Sequence, residues 1–539
     1  MIGTDHKFDV KRLPILDIGG FNPLINDYIN RDPKLRDLYN FECSLDAIDE
    51  VIQQKSCEII DRNILSEEIR NQYSAIDLNP AVNSNIDKLK EPTTFTIVTA
   101  HQPCIFSGPL YFIYKILSAI KVAELCNDRY QQYHFVPVFW IGGEDHDFEE
   151  INHIHLFNKT LRWDSGQHGA VGRMKLQNIS ALRDQISEML SSFPHAKEVN
   201  AIIEKAYRDD LTLSEATRVF VDELFSDHGL IVIDQDSKSL KEHFIPVIKK
   251  EVLQMSSQQD IQTAVDYLSS EYKVQAHPRE INMFYLNEGE RRRIVKDGDM
   301  YSILDTDVSF SEAEISDHID AFPERFSPNV ILRPLYQQKV LPAVSYVGGP
   351  GEIAYWLQLK QIFLNNNVCF PMLILRDNAL LIDNRSKQQF IELGFEIDQM
   401  FSETDSLIKA YVDRNSETVH FQKERDEIKS IFEKVKNRSV SIDKSLEKSV
   451  ESEYRKIEKS LENLENKVVR AQKREHETAV NKIERLKSKF FPSNSWQERY
   501  DNILIYLAMY GEDLLTVLKE SFNAFNNEMK VILEKDQEG

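Results

Sequence analysis

Three short stretches of this chain gather the residue types that acid–base and anion chemistry requires. The first is TAHQPCIFSGPLY, from Thr99 to Tyr111. His101 and Gln102 can hydrogen-bond phosphate oxygens, Phe106, Gly108 and Tyr111 follow them, and Lys115 lies one to two turns into the helix that Pro109 opens. A tight turn around a satisfied histidine is the plain alternative. The second stretch, WIGGEDHDFEEINH, runs from Trp140 to His153. Glu144, Asp145, His146 and Asp147, with Asn152 and His153 close behind, are too polar for a core. Trp140 and Phe148 beside them favour a half-buried pocket over an exposed acidic loop. With His155 the run also has the look of metal ligands, but it lacks the HExxH spacing, so no metal set is assigned.

The third stretch, YVGGPGEIAYWLQLK, runs from Tyr346 to Lys360. Gly348, Gly349 and Gly351 let backbone approach a ligand closely, and Glu352, Tyr355 and Gln358 share one helical face. It is neither a Walker A loop nor GxGxxG, so it is a weak phosphate motif taken alone. Arg279 in HPRE and Arg333 in NVILRP are of the kind that clamps carboxylates or phosphate, with structural arginine pairing as the equal alternative. Cys104 has no demonstrable catalytic partner in sequence and reads as a small loop residue.

What must position these groups is a parallel sheet. TFTIVTA ending at Ala100, HFVPVFWIGG from His134, GLIVIDQ from Gly229 and FPMLILRD from Phe370 are short apolar runs bounded by polar or Gly/Pro residues, as buried strands are. Between the first two, PLYFIYKILSAIKVAELC has helical apolar spacing. Strand, loop, helix, strand is a βαβ unit, hence a Rossmann-like core with helices covering a parallel sheet. Ligands of such sheets collect at the carboxyl ends of strands. The three motifs are therefore expected to meet at one rim as a single anion-lined cleft. Insertions are expected near 155–228 and 265–325, with hairpins around 161–176 and 281–295.

The chain has 539 residues and 42% hydrophobic content, which implies two or three domains with real cores. The core is expected over 1–390, a helical coiled coil over 391–500 and a terminal helix over 501–539. Beyond residue 440, Val450, Tyr454, Ile457, Leu461, Leu464, Val468 and Ala471 keep a 4-3-4-3 spacing, resumed by Ile483, Leu486 and Phe490 after a polar break at Glu475. That is a heptad seam, to be covered by a neighbouring helix (about 415–437 or about 496–534) or by a second chain. Five scattered cysteines without a CxxC pair fit reduced thiols, and the start lacks an apolar signal, so a cytoplasmic protein is expected. No run of eighteen apolar residues argues for a membrane span. A formal charge of −22 repels phosphate backbones and disfavours nucleic-acid binding, although a pocket can still be locally positive.

Taken in order, HQPCIFSGPLYFIYK, PVFWIGGEDHDFEEINH, HPREINMFYL, SPNVILRPLYQQKVLPAVSYVGGPGEIAYWLQLK and FPSNSWQER resemble the bacterial BshC family of bacillithiol biosynthesis. The resemblance implies a core related to nucleotidyltransferases and class I aminoacyl-tRNA synthetases, connective insertions and a dimer-forming C-terminal coiled coil. It implies joining of the cysteine carboxyl group to the amine of glucosaminyl-malate, with ATP or another nucleotide activating the acid. On that reading His101, Gln102 and the helix start at Gly108 hold the nucleotide. Glu144, Asp145, His146 and Asp147 hold the amines or accept a proton, and Asn152 and His153 orient the sugar. Glu352 and Tyr355 close the far wall, while Arg279 or Arg333 takes the malate carboxylates. The family often has Gln-Gln where this chain has His101-Gln102. Three rival readings are a nucleotide-binding scaffold acting through its coil, a metal-dependent hydrolase built on the His146 cluster, and a tRNA-charging enzyme, the last disfavoured by charge.

Overall fold

The computed structural model describes residues 7–416 and 421–536. Two compact units result, one from Met1–Leu381 with Trp496–Gln537 and the other from Ile382–Ser495.

The larger unit is built on a five-stranded, wholly parallel sheet. Its order is Met372–Leu375, Ala343–Gly348, Thr94–His101, His134–Ile141, Ile231–Asp234. These strands are near-continuous apolar runs because helices cover both faces of the sheet. Chain order runs outward from Thr94–His101 to Ile231–Asp234 on one side, then returns through Ala343–Gly348 on the other. The winding therefore reverses between Thr94–His101 and Ala343–Gly348, and a crevice opens at such a reversal, outside the carboxyl ends of the strands. The helix Tyr111–Arg129 returns the chain from the first of these strands to its neighbour, with most of its length buried.

The region 265–325 supplies an antiparallel sheet, ordered Ser309–Ser311, Met300–Ile303, Glu290–Asp297, Met283–Asn287, Phe326–Pro328. Met283–Asn287 and Glu290–Asp297 form the hairpin expected at 281–295, turning at Gly289 with φ +69°. In the other insertion, the hairpin pairs His153–Leu156 with Lys159–Arg162, upstream of the expected 161–176.

The expectation of one terminal helix over about 496–534 is corrected. The segment makes helices Ile503–Tyr510 and Asp513–Ser521, then a strand, Glu528–Glu534, paired antiparallel with Phe8–Pro14. Gly511 at φ +68° ends the first helix. ILIYLAMY is apolar on every side and is buried in the core of this unit, which already covers its apolar surface.

In the smaller unit, Gln422–Ile442 and Leu446–Glu475 form an antiparallel hairpin. Phe432 meets Tyr454 at 5.6 Å, and Lys436 pairs with Glu447 and Glu451 at 2.7 and 2.6 Å. The long helix ends at Glu475, where the apolar stripe breaks, and Glu477–Phe490 follows with Ile483, Leu486 and Phe490 buried. Residues 417–420, part of the helix expected over about 415–437, lie outside the described residues.

Candidate active site

A cleft of about 730 Å³ lies at the winding reversal of the parallel sheet. Ala100, His101, Gln102 and Tyr111 reach it from the first motif, Asp145, His146 and Glu150 from the second, and Gly349, Pro350, Gly351, Glu352 and Tyr355 from the third. The three motifs are brought to one rim. The order of the strands explains this: His101 pairs with Ile141 and Tyr346 with Val98, so the loops that follow start side by side.

At the floor, Lys115 is buried and bonds both the Ala100 carbonyl and the Glu352 carboxylate, the latter at 2.7 Å. Burial works against ionised Glu352. The Lys115 ammonium, the Tyr346 hydroxyl and the Gly349 N–H, 2.9 Å from Oε2, together hold its carboxyl below the usual range. The His101 ring lies between Tyr111 and Phe112, its Nδ1 2.9 Å from the Gln102 carbonyl oxygen. Burial, with the Lys115 charge nearby, pushes His101 down to about 4. Burial pushes the Cys104 thiol up to about 12, so it is no nucleophile at neutral pH.

Across the cleft, Asp145 accepts from Gln102 Nε2 at 2.6 Å and from the His146 backbone N–H at 2.8 Å. Arg291, from the antiparallel sheet, reaches the same carboxylate at 3.2 Å and His146 Nδ1 at 3.0 Å. Its other donors go to Ser327 Oγ and the Pro328 carbonyl, and its guanidinium lies 4.0 Å over the Phe284 ring. Burial disfavours ionised Asp145, but these donors outweigh it and hold the carboxyl well below the ordinary range. Arg333 donates to Gln337 and to the Tyr355 hydroxyl, both at 3.0 Å.

Several candidates lie elsewhere, each for a physical reason. Glu144 is fully buried, paired with Lys241 and 3.3 Å from Gln235 Nε2, so it braces the loop and faces no solvent. Asp147 is exposed at the start of the short helix Phe148–Ile151, off the cleft lining. Asn152 and His153 belong to the His153–Arg162 hairpin, with Asn152 buried and accepting from Trp163 N–H at 2.8 Å. Trp140 is core, its indole donating to Gln235 at 3.1 Å. Phe106 packs on Tyr207 at 4.2 Å, and the carbonyls of Phe106 and Gly108 accept from Asn502, so that turn, although left-handed at both residues, faces inward. Lys115 acts from below the floor. Gly348 abuts Tyr346 and Glu352, and its carbonyl accepts from Arg376 N–H. Gln358 is buried and holds both backbone groups of Ala276, which carries Gln275, His277 and Arg279 to the cleft.

Residues 9–377 match the family model described as "Bacillithiol biosynthesis BshC, N-terminal Rossmann-like domain", and residues 379–534 match "Bacillithiol biosynthesis BshC, C-terminal coiled-coil domain". The chain belongs to the BshC family. Relatives named "Putative cysteine ligase BshC" include that of Flavobacterium psychrophilum, 36% identical over 94% of this chain and 96% of its own length. Another, from Flavobacterium johnsoniae, is 35% identical over 95% and 98%. A third, from Cytophaga hutchinsonii, is 36% identical over 93% and 94%.

For a BshC chain of charge −22, the cleft is locally basic: Arg279, Arg291, Arg333, Arg376 and Arg499 all line it. Three of these, Arg291, Arg376 and Arg499, were missed as site residues in the sequence. Arg376 was visible as a charged residue closing the apolar strand run FPMLIL, and Arg499 sits in FPSNSWQER. Arg376 is held by an ion pair to Glu498 at 2.6 Å, which brings Arg499 to the rim. Among the described residues no three His, Cys, Asp or Glu side chains converge as a metal set. The His146 cluster is instead organised by Arg291, which weighs against the metal-hydrolase reading.

Proposed function

We propose that this chain joins the carboxyl group of cysteine to the amine of glucosaminyl-malate, using ATP or another nucleotide to activate the acid. A free carboxylate is a poor electrophile at neutral pH, so an activated acyl group such as a cysteinyl-adenylate is needed. Its formation requires cationic and N–H groups around a polyphosphate. The observation that carries the reading is the arginine-lined cleft at the winding reversal, where five guanidinium groups face three carboxylates, two of them already engaged by Lys115 or Arg291. Such a surface suits phosphate and the two carboxylates of malate. Family membership supports the same chemistry. Of the sequence candidates, His101, Gln102, Tyr111, Asp145, His146, Arg279, Arg333, Gly349, Gly351, Glu352 and Tyr355 remain as lining groups.

The exposed apolar residues of the helical hairpin support a homodimer, and no helix among the described residues is long and apolar enough to cross a membrane. A cytoplasmic location follows as part of the proposal. The test is reconstitution of purified chain with cysteine, glucosaminyl-malate and ATP, followed by mass spectrometry of thiol and nucleotide products. AMP formed in step with ligation supports an adenylate, ADP an acyl phosphate, and no ligation in the presence of any nucleotide refutes the proposal.

A further inference from the structure

We infer that the two histidines of the cleft are locked in opposite tautomers, so that His101 offers a lone pair at Nε2 as proton acceptor and His146 offers Nε2–H as hydrogen-bond donor. A backbone carbonyl can only accept, and His101 Nδ1 lies 2.9 Å from the Gln102 carbonyl oxygen. Nδ1 must therefore carry the proton, which leaves Nε2 with its lone pair. A guanidinium can only donate, and Arg291 Nη1 lies 3.0 Å from His146 Nδ1. Asp145 Oδ1 also faces that nitrogen, but from farther away at 3.4 Å, and it is already served by Arg291 and the His146 backbone N–H. The nearer guanidinium therefore takes the lone pair, and the proton resides on Nε2. Arg291 is itself fixed by Asp145, Ser327, the Pro328 carbonyl and the Phe284 ring, so the lock on His146 is held from several sides. Neighbouring Cys104, 3.7 Å from His101 Nδ1, remains a thiol and does not compete for that proton. The low affinity of His101 for a second proton keeps its Nε2 free at neutral pH.

Both rings line the same cleft. The roles that follow rest on the ligase reading, whereas the tautomers do not. As the amine nitrogen bonds to the carbon of an acyl nucleotide, the bond from that carbon to the phosphate oxygen breaks and the oxygen keeps the electron pair. The proton shed by the amine passes by way of His101 Nε2 to the departing phosphate oxygen, which holds it more tightly than so weakly basic a ring, while His146 Nε2–H hydrogen-bonds the acyl oxygen as it gains charge. This reverses the assignment drawn from sequence, in which His101 was the phosphate donor and the His146 cluster the acceptor. Arg291 is a positioning residue, acting through His146.

The experiment is two-bond ¹H–¹⁵N spectroscopy of full-length chain carrying ¹⁵N-histidine, with His101→Asn and His146→Asn assigning the two rings. An Nδ1–H pattern for His101 and an Nε2–H pattern for His146 are expected, and Arg291→Met should redistribute His146 alone. The opposite pattern in either ring of the wild-type chain overturns the proposal, whatever the variants do. In the ligation assay, His146→Gln, whose amide N–H reaches the Nε2 position, should retain about a tenth of the activity. His146→Ala and His101→Asn should each lose about a hundredfold or more. A His101→Asn chain that ligates normally overturns the acceptor role. Wild-type chain with the expected tautomers but no ligation defeats the ligase reading and the roles, and leaves the tautomers standing.

Discussion

Lys115 and Glu352 meet as an ion pair 2.7 Å long beneath the cleft, the lysine 1% and the carboxylate 24% exposed. The lysine also bonds the Ala100 carbonyl, so one ammonium ties the helix Tyr111–Arg129 to the strand ends on both sides of the winding reversal. The pair therefore sets the spacing of the first and third loops before any ligand arrives. Lys115→Met would leave Glu352 without its counter-ion, and loss of one partner of a buried pair costs about 3–5 kcal/mol. Urea unfolding should register that loss, and a change below about 1 kcal/mol would show that the pair is not structural.

Glu144 and Lys241 form a second pair, both fully buried and away from the cleft. Lys241→Met alone should destabilise by about 3–5 kcal/mol, whereas Lys241→Met with Glu144→Met should recover much of it, since two apolar groups of similar size need no charge balance. A double-variant cycle in denaturant measures this. Ligation per folded molecule should be nearly unchanged in the double variant, which separates bracing from chemistry.

Asp145 gives a pH signature. Burial raises its carboxyl, but the contacts with His146, whose backbone N–H donates to it, with Arg291 and with Gln102 outweigh that and hold it below the ordinary value. A depressed carboxylate adds stability above its unfolded value, near about 3.9, and loses it as pH falls toward the folded value. Wild-type chain should therefore lose stability below pH about 4 more steeply than Asp145→Asn. Thermal melts across the acid range decide it: parallel acid limbs would show that the carboxylate is not so held.

The sheet was legible because its strands are uninterrupted apolar runs, and the meeting of the three motifs followed from the rule that loops gather at strand carboxyl ends. The direction of side chains was not legible. Glu144 and Asp145 are adjacent and chemically alike, yet one enters the core against Lys241 and the other faces the cleft, a difference set by residues about a hundred and about a hundred and fifty positions away. Arg291 sits in a run of three arginines, and only the pairing of its strand with Met283–Asn287 singles it out. Gln358 shows a different failure: it was read onto the helical face of Glu352 and Tyr355, but that helix ends at Trp356, and Gln358, in the turn that follows, holds the backbone of Ala276.

Arg499 is exposed at the rim, so its removal should spare the fold. A hydrogen bond to a charged group contributes about 1.5–3 kcal/mol, or about a tenfold to hundredfold change in affinity. Arg499→Ala should raise KM for one anionic substrate by about tenfold with kcat changed less than about twofold. Steady-state kinetics with each substrate varied in turn identifies which anion it meets. An unchanged KM for every substrate would remove Arg499 from the binding surface.

The helical hairpin leaves apolar surface uncovered: Ile431 is 55% exposed, Val435 42%, Ile457 37% and Leu464 48%. Ile457 and Leu464 are one heptad apart in the seam of Leu446–Glu475, so the intramolecular partner Gln422–Ile442 does not bury the stripe fully. Full burial of such a side chain contributes about 1.5–3 kcal/mol, and a self-complementary dimer counts each residue twice. Ile457→Lys with Leu464→Lys should convert a dimer into a folded monomer in sedimentation velocity, with far-UV helicity retained because both positions already face solvent in one chain. A wild-type chain that sediments as a monomer at micromolar concentration would rule the seam out as the dimer contact.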